Sequence, residues 1–163
     1  MLFAALLVLA FVCPEGATAQ RDAPVFAVPR PLVAIARRDL TFGTVHAGIP
    51  ASVSTTDVRY AGLFEIHGSK HETVRVEILL PSVLTSAAGA EMPLSFGPGD
   101  GNAATDRGRF RGTPFDPRQP LVVTLGANGK LYIRLGGTAL PTRAQADGTY
   151  RAAVTLSIFN LGS

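Results

Sequence analysis

The chain has 163 residues, is 47% hydrophobic, and carries a formal net charge of +3 at pH 7. So mild a basic balance gives weak attraction to anionic surfaces and no ground for expecting nucleic acid as a partner. The one cysteine, Cys13, falls in a segment expected to be removed, which excludes a disulfide, a thiol nucleophile and a thiolate metal site from the mature protein.

The first thirteen residues, MLFAALLVLAFVC, carry no charge, and Pro14 with Glu15 ends the run. A bilayer span needs about 20 apolar residues, so the run is too short to cross. It reads instead as the apolar region of a secretory signal, with Ala17-Thr18-Ala19 as the small-x-small cleavage site and residues 1–19 removed. No Lys or Arg precedes it, which leaves the true start codon open. The expectation is a secreted, periplasmic or cell-surface protein with no membrane span after cleavage.

Residues 20–31, with three prolines, read as an extended leader that no helix can accommodate. Residues 32–163 form the expected single domain. There, short runs of β-formers alternate with turn residues, and the strands predicted are 32–36, 40–42, 52–60, 64–67, 73–80, 92–96, 121–125, 131–135 and 149–159. In HETVRVEILLP, Val74, Val76, Ile78 and Leu80 share one face while Arg75 and Glu77 share the other. Asn128-Gly129 between LVVTL and KLYIRL predicts a hairpin over 121–135, because both turn residues tolerate positive φ. Residues 97–120, rich in Gly and Pro, predict a long surface loop with a short strand around 109–111. The last run alternates from Thr149 to Phe159, with Tyr150, Ala152, Val154, Leu156 and Ile158 on one side. Many short strands at this spacing predict an all-β, antiparallel sandwich or barrel.

The chemistry-bearing residues form no motif in its proper context. Gly99-x-Gly101-x-x-Ala104 has the spacing of a dinucleotide fingerprint, but Thr-Asp-Arg-Gly-Arg follows where a helix is needed. Asp100, Asn102 and Asp106 offer oxygen ligands for calcium, yet the sixth and twelfth positions are Thr105 and Arg111 instead of glycine and an acid. His67 and His71 flank a turn at Gly68-Ser69-Lys70, where four-residue spacing does not give the shared face it gives on a helix. No Gly-x-Ser-x-Gly elbow is present and the acids are scattered, so neither an enzyme nor a cofactor or metal is expected. Arg107, Arg109 and Arg111, around Phe110, are candidate contacts for an anionic surface.

Several elements occur together in a fixed order: Leu40-Thr-Phe42-Gly43, Phe64-Glu-Ile66-His-Gly68, Leu79-Leu80-Pro81, Leu131-Tyr-Ile133-x-Leu135-Gly136-Gly137, and Asp147-Gly148-Thr-Tyr150-x-Ala152-x-Val154-Thr-Leu156. Over roughly residues 33–160 this pattern resembles the bacterial family known as domain of unknown function 4402, and is similar to spore coat protein U and pilin-type secreted domains. The resemblance implies an immunoglobulin-like, pilin-like antiparallel β-sandwich with a structural or adhesive role at the cell surface. It also implies partners that are other protein subunits, copies of itself included, joined by strand exchange. The candidate donor strand is residues 23–36, with Val25, Phe26, Val28, Val33 and Ile35 available to fill a groove. Pro29 and Pro31 break its ladder, and pairing of 32–36 within its own sandwich is the competing expectation. The alternative function is a secreted binding module for anionic glycans or surface polymers, acting through the loop 97–120.

Overall fold

A computed structural model describes residues 30–106 and 112–161. Among them there is no helix, and the strands are antiparallel. The first sheet holds five strands: β1 (Val33–Arg38), β3 (Gly62–His67), β10 (Lys130–Leu135), β7 (Gly101–Ala104) and β8 (Thr113–Phe115), in that spatial order. Facing it is a sheet of three, β13 (Thr155–Asn160), β4 (Thr73–Leu79) and β9 (Leu121–Thr124). The molecule is therefore an all-β sandwich, as the alternation predicts.

The core between these layers follows from the period of two. Ile66 on β3, Ile133 and Leu131 on β10, and Val74 and Val76 on β4 are all at most 1% exposed, with Leu125 closing the end. Burying each such side chain contributes roughly 1.5–3 kcal/mol, which sustains a domain of this size without a covalent staple. Along β4 the burial declines from Val74 and Val76 to a half-buried Ile78, so the core thins toward one end of the sandwich.

At that end both layers continue into a third sheet that curls over it, in the order β12 (Tyr150–Arg151), β5 (Val83–Ser86), β6 (Glu91–Ser95), β11 (Gly137–Ala139), β2 (Ala51–Val53). β10 enters it directly as β11, through Gly136-Gly137. A Cβ at Gly136 would lie 2.4 Å from the Val53 carbonyl oxygen, and one at Gly137 would lie 2.8 Å from the Phe96 ring. Only a bare backbone lets the strand change sheets there.

Several expected elements are corrected. Residues 121–135 are no hairpin: β9 pairs with β4 and β10 with β3 and β7, so the chain arches across the sandwich. Leu125, 1% exposed, sits in the connection, and its burial together with that of Leu131 pulls the two strands onto opposite sides of one core. The Gly68-Ser69-Lys70-His71 turn is likewise a corner between sheets, with His71 at φ 57°. Residues 40–42 form no strand, and 52–60 shortens to β2, because the Asp57 carboxylate accepts the N–H groups of Arg59 and Tyr60 at 2.9 and 3.2 Å. Within 97–120, a loop by composition, β7 and β8 pair, and the Phe115 ring occupies the space a side chain at Gly101 would take. The strand expected around 109–111 lies outside the described residues. The run 149–159 is two strands, β12 and β13, with 152–154 between them.

Candidate functional site

Dividing the last run decides where the sandwich is open. Among the described residues, β12 pairs only with β5 and β13 only with β4, so both are edge strands. Across from β12, β1 pairs among the described residues only with β3, and the chain beyond it is tied back at Thr41, whose N–H donates to the Tyr60 carbonyl at 2.9 Å. Between these borders lies a groove of about 970 Å³, bounded by residues around Ala36–Ala47 on one side and Gln145–Val154 on the other. Its lining is mixed: Phe64, Leu84, Met92, Leu94, Phe96 and Leu135 supply the apolar part, and Arg38, Asp39, Gln145, Asp147 and Arg151 supply charged and polar groups. A groove with apolar side chains along it and an edge strand at its border can accept an extended polypeptide, whose main chain pairs with the edge.

The rim is built by local hydrogen bonds. Tyr150 stands half-buried at the opening of β12, its hydroxyl donating to the Ala146 carbonyl at 2.6 Å. Gln145 Nε2 donates to that same hydroxyl at 2.7 Å and to the Glu91 carbonyl at 3.0 Å. Residues 145–150 are thus fastened to the third sheet. Ala36 on β1 and Ala152 after β12 face each other's side of the groove as small, exposed residues.

On the outer face of the first sheet, Glu65 is 4% exposed and is the anion of a four-residue cluster. Arg37 Nε donates to Oε2 at 2.7 Å, Lys130 Nζ donates to Oε1 at 3.0 Å, and His67 Nε2 lies 2.8 Å from Oε1. Burial alone pushes the carboxyl pKa up, but the donors Lys130, His67 and Arg37 outweigh it and bring it from 4.5 to about 2. Because Arg37 belongs to β1 and Lys130 to β10, one carboxylate fastens the edge strand to the centre of its sheet. The alternating pattern marks Glu65 only as a polar outward position, and nothing in it signals three donors.

The residues singled out from sequence are dispersed. Val33 and Ile35 lie in β1 and pair with His67 and Glu65 of the same chain; Val25, Phe26 and Val28 lie outside the described residues, as do Arg107, Arg109 and Arg111. Asp100 caps its own turn by accepting the Gly97 N–H at 2.6 Å, Asn102 is buried in β7, and Asp106 follows that strand. At about 3.3 Å per extended residue, these three do not converge on one calcium position. Gly99 and Gly101 lead into β7 and not into a helix, so the dinucleotide spacing has no structural counterpart. His67 is drawn to Glu65, away from the turn that carries His71. The chain matches no known family model and no curated protein.

Proposed function

We propose that this is an exported structural or adhesive surface protein, a subunit of the pilus or coat kind, which works through contacts with other protein subunits. The observation that supports it is the groove between the end of β1 with residues 39–47 and residues 145–154, where β12 is an edge strand of the third sheet. Soluble proteins cover or blunt such edges, because free main-chain groups in line recruit another strand. An extended segment from a neighbouring subunit, its apolar side chains alternating over Phe64, Leu84 and Phe96, completes the sandwich. The resemblance to the domain of unknown function 4402 family and to pilin-type domains points the same way. The segment preceding β1 is the candidate donor, Val33 and Ile35 being paired in cis.

The test is a blockade. Ala152→Arg and Ala36→Arg place a long charged side chain in the groove at positions already exposed, where substitutions ordinarily change stability by no more than about 0.5 kcal/mol. Light scattering of the purified chain should show assemblies for the parent and monomers for each variant, with superimposable thermal transitions. Deleting residues 20–31 should likewise stop assembly. A parent that stays monomeric at every concentration would remove the proposal.

A further inference from the structure

We propose that the outer face of the three-stranded sheet is a contact for a second copy of this chain, packed sheet to sheet about a two-fold axis. The strand registers lay that face out in rows. Phe159, Arg75 and Val122 form one row, with Leu161 and Thr73 before it, Leu161 N donating to the Thr73 carbonyl. Ser157 and Glu77 form the next, with Pro120 one residue past the last paired position of β9, and Thr155 with Leu79 closes the face. The opposite side of the same strands carries Val74, Val76, Leu156 and Ile158 into the core. Leu79, Val122, Phe159 and Leu161 are nevertheless 72%, 59%, 48% and 53% exposed. Four large apolar side chains on one sheet face form a patch, whereas single ones scattered over a surface need no partner.

The layout of that face selects its occupant. Arg75 is paired with Glu77 of its own strand, so the centre of the face carries opposite charges side by side and no excess of either. Two copies facing each other with β4 antiparallel set Arg75 over the partner's Glu77, whereas parallel strands would oppose Arg75 to the partner's Arg75. The antiparallel register also matches the face by size. Phe159 lies over the partner's Ser157, Leu161 over the partner's Thr155, Leu79 over the partner's Thr73 and Val122 over the partner's Pro120. Each large side chain meets a smaller one. A hollow of about 290 Å³, bounded by Glu77, Leu79, Gln119, Pro120 and Ser157, is where the Phe159 row of the second copy falls. Packed sheets keep their strands within about 30° of each other, so the fit is closest at these central rows. The rows share no residue with the groove lining, and the pairing does not rest on capture of a strand there. Three strands offer less than the roughly 800 Å² per partner of a stable pair, so a dissociation constant on the order of 100 µM is expected.

Sedimentation equilibrium of the Ala152→Arg chain, whose groove is blocked, reads this contact apart from any assembly through the groove. It should show monomers at about 10 µM and dimers at about 1 mM. Arg75→Glu and Glu77→Arg, added singly, each set like charges opposite one another and should weaken pairing at least about tenfold. An equimolar mixture of those two variants restores opposite charges at both positions and should recover it, which also shows that each is folded. Ser157→Trp fills the place of the partner's Phe159 and should abolish pairing, with an unchanged thermal transition. Val58→Glu, at an exposed apolar position away from this sheet, should leave pairing as it was. The proposal fails if the chain stays monomeric at about 1 mM, if the mixture pairs no better than either variant alone, if Ser157→Trp still pairs, or if Val58→Glu weakens pairing as much as the substitutions on the face.

Discussion

Gly136→Ala is expected to destabilise the domain by roughly 1–3 kcal/mol, the range in which added atoms overpack a filled site. The new Cβ would stand 2.4 Å from the Val53 carbonyl oxygen and 3.2 Å from Thr55 N, both main-chain atoms that no rotamer change can move aside. Relief requires β10 and β2 to separate at the point where the chain passes from the first sheet to the third, which also disturbs the groove floor at Leu135 and Phe96. Urea denaturation should show a lowered midpoint with little change of slope. The comparison is Gly99→Ala, where a Cβ meets nothing within 4 Å and φ is not positive; it should stay within about 0.5 kcal/mol of the parent. Equal losses at the two positions would show that the crossing is not as tight as its geometry indicates.

Glu65→Gln carries the second large effect. Hydrogen bonds to charged groups contribute about 1.5–3 kcal/mol, and here the charged acceptor is buried and holds β1, β3 and β10 together. Its exposed partners recover water when the charge is removed, so a loss of about 2 kcal/mol at pH 7 is expected. The pH dependence has a definite sign. The carboxyl pKa is lower in the folded protein, about 2 against 4.5, so the folded state favours the ionised form. The stabilisation is complete above pH 4.5, declines as pH falls through the interval between 4.5 and about 2, and is gone below it. Denaturation of parent and variant at pH 7, 5, 3 and 2 should therefore give curves that differ most at the top of this series and converge at the bottom. A difference that stays constant across the series would assign the loss to packing and not to charge.

A folded core that loosens at β1 also changes what the groove can do. β1 forms one border of the opening, and its hold on the sheet combines its ladder to β3 with the Arg37 contact to Glu65. The bulge between Ala36 and Arg38 lies at the groove margin, and Arg38 Nε, donating to the Ala61 carbonyl at 2.8 Å, fixes the chain just beyond it. Stability of the edge and geometry of the groove are thus set by the same few contacts.

The sequence by itself determined the all-β class and the inward faces of its alternating strands: Val74 and Val76 buried on β4, Leu131, Ile133 and Leu135 buried on β10, and Leu156 and Ile158 half-buried on β13, although β10 also buries Tyr132 and Arg134 on its other face. Those are local facts, because side chains alternate across any extended backbone and apolar ones seek the same side. Which strands pair was decided only in three dimensions. Asn128-Gly129 makes its turn whether the flanking strands join in a hairpin or arch across a core, and burial of Leu125 chose the arch. β7 and β8 have weak intrinsic preference and exist because the Phe115 ring covers Gly101 and β10 supplies a ladder. The groove is legible in no segment, since it is the space left between the end of β1 with residues 39–47 and the distant residues 145–154. Local pattern records which way a side chain points, while an unfilled border arises from the summed packing of all the strands.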